Sequence, residues 1–167
     1  MKKPPSIKNS IRFVLLIWGA FTFACGSSSL GDPTAIAMMY GGSQLYPSYE
    51  VTFRANGTAE FISVIGPGDR TSLQEDIAER QRSRYTGMIA PDQFLRLKEV
   101  LLENGFSGMS TEYSPSTGGN LTRIRVEFGN EAKEVPSQHG SQGPKFALIR
   151  KAIESAIDQI EWTKTPM

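Results

Sequence analysis

The sequence predicts an α+β domain in which an antiparallel sheet, built from β-hairpins, packs in two layers against two amphipathic helices. Two observations lead to this prediction. Two segments alternate apolar and polar residues on either side of a short glycine-containing turn, and two others repeat apolar residues at intervals of three and four. Strands with one apolar face and helices with one apolar stripe bury these surfaces by packing them together.

The first predicted hairpin is centred on Asn56-Gly57. Apolar and polar residues alternate from Tyr49 to Arg54 before the turn, and the chain returns from Ala59 to Val64. Asn-Gly favours a hairpin because both residues tolerate positive φ angles. A further strand, from Ala35 to Tyr40, is predicted to precede this pair.

The second predicted hairpin runs from Leu121 to Phe128, turns at Gly129-Asn130 and returns through Val135. Its apolar residues occupy one side of the first strand, and arginine and glutamate residues occupy the other. This period of two predicts a sheet with one buried face and one face in water, which is typical of antiparallel sheets.

Two helices are predicted from their apolar spacing and their end signals. Proline at the first turn is compatible with a helix, so Pro91 and Pro144 mark the two starts. The first helix is expected to end at Asn104-Gly105, with Phe106 making the apolar contact of its cap. The apolar stripe of the first helix is Phe94, Leu97 and Leu101, and that of the second is Phe146, Ile149, Ile153, Ala156, Ile157 and Ile160.

The segments between these elements are less regular. The charged stretch from Gly66 to Gly87 is interpreted as a loop or a long hairpin extension, with Gln81 to Met88 returning as a strand. The stretch from Ser107 to Asn120 is rich in serine, threonine and glycine and predicts a loop.

The N-terminal segment predicts a bacterial lipoprotein signal. A basic start precedes an apolar run of 12 residues, Phe13 to Ala24, and Cys25 follows directly as the chain's one cysteine. This length suits a signal peptide and is too short for the roughly 20 residues that span a bilayer. Cleavage by the ordinary signal peptidase and an uncleaved N-terminal anchor are the alternatives.

These features predict three parts: a signal peptide over 1–24, an acylated Cys25 with a flexible tether over 25–33, and one α+β domain over 34–163. The expected location is the cell envelope, where lipid on Cys25 holds the domain to a bacterial membrane in the periplasm or at the cell surface. The chain has 18 basic and 17 acidic residues, and cleavage after residue 24 removes four basic and no acidic ones. The resulting acidic excess argues against a nucleic-acid partner.

The order of landmarks along the chain resembles a bacterial family of secreted proteins and lipoproteins, the domain of unknown function 6438. The resemblance covers roughly residues 36–162. It depends on Pro47-Ser48-Tyr49-Glu50-Val51, Asn56-Gly57, Tyr85-Thr86-Gly87, Gly105-Phe106 and Tyr113. It implies the same location and fold, and it implies no established activity.

Two groups of residues are candidates for an interaction surface. Tyr40, Tyr46 and Tyr49 cluster around two glycines and could form a recognition surface, because tyrosine suits interfaces. The alternative places them half-buried at strand ends. Arg80, Arg82 and Arg84 would share one face of an extended strand and could contact an acidic partner or lipid headgroups. The alternative is a solvated face neutralised by neighbouring acidic residues.

The sequence predicts no catalytic, cofactor-binding or metal-binding residues. His139 is the one histidine, and its serine neighbours do not by their spacing form a catalytic arrangement. A single histidine also lacks the partners of a common zinc site. The expected function is therefore binding, to another envelope protein or to cell-wall material. A small envelope hydrolase of unrecognised type and an inhibitor of a secreted enzyme remain the alternatives.

Overall fold

The computed structural model describes residues 31–41, 49–63, 67, 82–113, 120–138 and 140–166. The predicted signal peptide, Cys25, Tyr46, Arg80 and His139 lie outside these residues. The described residues form an α+β fold with one open antiparallel sheet and two α-helices, as the sequence predicts.

The sheet has seven strands in the order β6-β5-β1-β2-β3-β4-β7, and every neighbouring pair is antiparallel. The strands are β1 (Ala35–Gly41), β2 (Tyr49–Arg54), β3 (Thr58–Ser63), β4 (Ser83–Met88), β5 (Leu121–Phe128), β6 (Glu131–Gln138) and β7 (Thr163–Thr165). The helices are α1 (Pro91–Glu103) and α2 (Gly143–Asp158), and a short 3-10 helix spans Phe106–Gly108.

The hydrophobic core lies between one face of the sheet and the two helices. Alternation sends Ile36 and Met38 of β1 to this face, with Phe53 and Val51 opposite them on β2. The helices contribute the predicted stripes, which are buried with these strand residues in one cluster. Each layer thereby covers the apolar surface of the other, which is the main stabilising interaction of this architecture.

The opposite face of the sheet carries arginine and glutamate side chains. Arg123 and Arg125 of β5 lie on this face, as the alternation of that strand predicts, and the same face bears Glu60 of β3. In the described residues, no helix is both long and apolar enough to cross a membrane.

The predicted elements are recovered with differences at their ends. The first hairpin has a three-residue loop, in which Gly57 adopts a φ of +88° and Asn56 accepts hydrogen bonds from the backbone and the hydroxyl of Thr58. The loop contains the predicted Asn56-Gly57, and the returning strand begins at Thr58, one residue earlier than predicted. The returning strand β3 ends at Ser63 within the described residues, and Val64 lies outside them.

Two further strand boundaries differ from the sequence prediction, and one strand was not predicted. β6 continues past Val135 to Gln138, across Pro136, which is tolerated because β6 is an edge strand of the sheet. β4 begins at Ser83, and Arg82, predicted to lie in the strand, precedes it. β7 was not predicted, because three polar residues carry no measurable period.

The helix ends follow their predicted signals closely. Pro91 is the first residue of α1, and the Gln93 side chain accepts a hydrogen bond of 3.0 Å from the backbone N–H of Ala90. Gly105 follows the helix with a left-handed φ of +67°, and Phe106 is buried beside it. α2 begins one residue before Pro144 and ends at Asp158, so Ile160 joins the core from beyond the helix.

Candidate functional site

One row of cross-strand neighbours near the end of the sheet consists entirely of hydroxyl-bearing residues. The register pairs each member with the next and places all of them on the helix-facing side of the sheet. From β6 to β4 the row reads Ser137, Thr122, Tyr40, Tyr49, Ser63 and Ser83, and we refer to it as the hydroxyl row. It replaces the apolar side chains that occupy this face elsewhere in the strands.

The hydroxyl row contains every buried polar side chain of the part of the chain described here. Ser63, Thr122 and Ser137 are 1%, 4% and 5% exposed. A hydroxyl removed from water without a hydrogen bond costs roughly 1–3 kcal/mol by the evidence of protein mutants. Ser63 has an interaction partner, so this cost does not apply to it, but the concentration of buried hydroxyl-bearing residues in one row marks this end of the sheet as the candidate site.

A pocket of about 550 Å³ lies between the β6 end of the hydroxyl row and the first two turns of α2. We call it the α2 pocket. Its size falls within the usual range for a small-molecule site. Its described lining includes the side chains of Tyr40, Asn120, Thr122, Ser137, Ala147 and Arg150.

Two of these pocket hydroxyls have no hydrogen-bond partner among the described residues. They belong to Thr122 and Ser137, which face each other across β5 and β6. Both residues line the α2 pocket, so each hydroxyl can donate to or accept from a molecule in it.

Tyr40 presents a third hydroxyl to the α2 pocket. Asn120 donates a hydrogen bond of 2.9 Å from its amide nitrogen to the Tyr40 hydroxyl oxygen. Because this oxygen is the acceptor, the phenolic hydrogen remains able to donate elsewhere. The Tyr40 ring is fixed from behind by stacking on Tyr49, with ring centroids 5.4 Å apart.

Arg150 supplies the one charged side chain among the described residues that line the α2 pocket. Its Nε is buried and makes no hydrogen bond. The Glu154 carboxylate lies 3.6 Å from this nitrogen, at ion-pair distance but outside hydrogen-bond geometry. Four donor groups, from Arg150 and the three hydroxyls, thus lie around one pocket that has no carboxylate among its described lining residues.

A larger groove of about 940 Å³ lies at another corner of the molecule, beside β3, β4 and β7. Four of its polar side chains already bind one another in two pairs. Arg84 contacts Glu60 at 2.7 Å, and Gln93 donates a hydrogen bond of 2.9 Å to Gln159. Size alone would favour this groove. Its paired side chains, however, leave fewer hydrogen-bonding groups available to a ligand, so we regard the α2 pocket as the stronger candidate.

A third groove, of about 440 Å³, lies between β6 and the segment after the 3-10 helix. Its cations also have partners. Lys133 donates to the carbonyl oxygens of Ser107 and Met109 at 2.6 and 2.8 Å, and Arg123 lies 5.9 Å from the centre of the Tyr113 ring. These contacts tie the segment to the edge of the sheet, which is a structural role.

The predicted tyrosine surface is only partly assembled in the described residues. Tyr40 is half-buried and lines the α2 pocket, while Tyr49 is 2% exposed and lies behind it. Tyr49 therefore supports the site without presenting a surface. Tyr46 lies outside the described residues.

The predicted arginine surface is also only partly contained in the described residues. Arg84 lies on the helix-free face of β4 and forms an ion pair with Glu60 at 2.7 Å. Arg82 precedes the strand and has an interaction of its own. Arg80 lies outside the described residues, so no shared arginine face is seen among those described.

Sequence reasoning missed Thr122, Ser137, Asn120 and Arg150. The sequence did contain a signal for Thr122 and Ser137. Thr122 is two residues from the buried Ile124 and Ser137 is two residues from the buried Val135, so each lies on the buried face of its strand. A polar residue at an apolar position of a strand indicates either a hydrogen bond or a site. Arg150 follows Phe146 by one helical turn, but nothing in its spacing indicates that β5 and β6 lie opposite.

No group of three or more histidine, cysteine, aspartate or glutamate side chains that could hold a metal ion is found within the described ranges. Comparisons with known proteins supply no relative: no family model matches the chain, and a search of curated proteins finds no match.

Proposed function

We propose that this protein is a lipid-anchored binding domain of the bacterial cell envelope that holds a small polar group displayed by cell-wall material. The sequence supports the anchor through the basic start, the short apolar run and Cys25. The resemblance to a family of bacterial secreted proteins and lipoproteins agrees with this location. The α2 pocket supports the binding role and is the observation that carries it.

The α2 pocket suits binding because its polar groups are held by rigid elements. Thr122 and Ser137 project from paired strands, Arg150 from the first half of a 16-residue helix, and Tyr40 is fixed by Tyr49. Groups fixed before binding lose little conformational entropy when a ligand arrives. Hydrogen-bond donors that the fold leaves free are available for that ligand.

Binding of wall material in the α2 pocket is favoured over binding of a partner protein by strand addition. The sheet edges are poorly suited to accept an added strand. One edge strand, β7, has only three residues, and the other, β6, contains Pro136, which has no N–H to donate. The Lys133 bonds to Ser107 and Met109 also hold another segment against β6. Both features are ways in which proteins protect sheet edges from pairing.

The test is co-sedimentation of the full chain with purified cell-wall sacculi, before and after the α2 pocket is filled. Ala147 lines the pocket and is exposed, so Ala147→Trp would occupy the space without disturbing the core. We expect Ala147→Trp to lower the bound fraction at least about tenfold, which is the effect of losing one or two good polar contacts.

Leu148→Trp is the matched control. Leu148 is the next residue on α2, is 56% exposed and lies outside the pocket lining. It should bind like the wild type. Absence of wild-type binding to sacculi, or equal binding by both tryptophan variants, would refute the proposed function.

A further inference from the structure

We infer that the α2 pocket binds a carboxylate group. This inference deepens the proposed function, since it assigns the chemical class of the group that the pocket holds. It starts from Arg150, which lines the pocket with a side chain that is 42% exposed. An arginine N–H can only donate, so a group that binds this side chain is an acceptor, and oxyanions are the acceptors that arginine binds best.

The remaining groups of the α2 pocket agree with an acceptor-rich ligand. Thr122 and Ser137 are at least nine-tenths buried, line the pocket and have no hydrogen-bond partner among the described residues. The Tyr40 hydroxyl has its hydrogen left to donate. A carboxylate has two oxygens with about four acceptor positions, which matches Arg150 on one side and these hydroxyls on the other.

The charge balance favours a ligand with one negative charge over a phosphate dianion. Arg150 is the one cation among the described residues that line the α2 pocket, and Glu154 offsets part of its charge at 3.6 Å. The remaining positive charge compensates a monoanion in part, while a dianion would add a further negative charge without a counterion. Phe146 and the methyl group of Ala147 line the same pocket, so the carbon skeleton of the ligand has apolar contacts available.

The test follows the Arg150 Nε–H signal in a ¹⁵N NMR titration of the full chain in a mild detergent. The probe is propionate, and its neutral counterpart is propionamide, which has the same shape without the charge. We expect propionate to shift the Arg150 signal and the backbone signals of Thr122 and Ser137 with one saturable curve. Propionamide should cause no saturable shift, and phosphate should bind more weakly than propionate.

Two variants separate a binding role from a structural one. Arg150→Gln should raise the dissociation constant for propionate at least about tenfold. Lys151→Gln removes the same charge from the next, exposed residue of α2 and should change it less than about twofold. If Arg150→Gln does not fold, Ser137→Ala replaces it, with a smaller increase of about threefold expected.

Equal shifts with propionamide, tighter binding of phosphate, or unchanged affinity after Arg150→Gln would each overturn the inference, as would the absence of a saturable shift. The outcome can be separated from that of the sacculus experiment. Binding to sacculi that Ala147→Trp abolishes, with no response to propionate, would retain the proposed function and reject the carboxylate. A propionate response without binding to sacculi would retain the carboxylate site and reject the proposed function.

Discussion

At the scale of single residues, the α2 pocket is a place where this protein gives up stability. A buried hydroxyl without a hydrogen bond is less favourable than an apolar side chain of the same shape, because the apolar group loses no interaction with water. Thr122 and Ser137 are buried residues whose hydroxyls have no hydrogen-bond partner among the described residues and lie at the wall of the pocket. Polar groups kept in this condition occur where function requires them, and stabilising substitutions there are expected to impair function.

We predict that Thr122→Val and Ser137→Ala leave the free energy of unfolding unchanged or raise it by up to about 1 kcal/mol. The physical reason is that each change removes a buried polar group that has no partner to lose. The measurement is urea denaturation of the two variants beside the wild type. A loss of more than about 1 kcal/mol would contradict this interpretation, because it would mean that the hydroxyl makes a stabilising hydrogen bond in the fold.

At the scale of elements, the far side of the sheet depends on a close approach between β4 and the chain that leaves α2. Gly87 of β4 lies directly under Ile160 and Glu161, and the Trp162 ring packs nearby against Phe61. Trp162 also donates a hydrogen bond of 3.0 Å to the carbonyl oxygen of Ile157, at the end of the helix. These contacts place β7 beside β4, where it forms the edge strand of the sheet.

We predict that Gly87→Ala lowers the free energy of unfolding by about 1–3 kcal/mol, the usual effect of overpacking. An added methyl group would overlap the Ile160 side chain and lie 3.0 Å from the carbonyl oxygen of Glu161. Urea denaturation measures the change. Gly108→Ala is the control, because a methyl group there has no atom within 4 Å. Equal stability of the two variants would contradict the prediction, because it would show that the chain after α2 moves aside with no loss of free energy of unfolding.

At the scale of the whole molecule, anchoring and folding are expected to be separable. The core cluster runs from Ile36 to Ile160, so the buried residues that stabilise the domain follow Cys25 by more than the length of the predicted tether. A lipid on Cys25 would then set the location of the domain and leave its packing unchanged. Several acyl chains are needed for stable anchoring, since one alone binds membranes only marginally.

We predict that Cys25→Ser abolishes incorporation of labelled palmitate and moves the protein out of the membrane fraction. The free energy of unfolding should change by less than about 0.5 kcal/mol, as for substitutions away from the core. Metabolic labelling, fractionation and denaturation measure the three quantities. Continued labelling of the serine variant would contradict acylation at Cys25, and a large loss of stability would contradict the separation of anchor and fold.

The sequence by itself determined the fold class and most elements, because these depend on local periodicity. The alternation in β5 and the stripes of α1 and α2 each define an apolar face that must be buried. The positions of these faces can be read from residues that are close together in the sequence. End signals such as Pro91 and Gly105 have local causes as well. The short strand β7 was missed because its position comes from the packing of Trp162 and Gly87, which are far apart in the sequence.

Only the tertiary structure decided the candidate site. Tyr40, Thr122 and Ser137 come from β1, β5 and β6, and they become neighbours through a strand order that brings β5 beside β1. Arg150 then meets them because α2 packs across that face. Long-range pairing of this kind depends on the sum of many contacts over the sheet, so residue types and spacing along the chain could not show that these four side chains share one pocket.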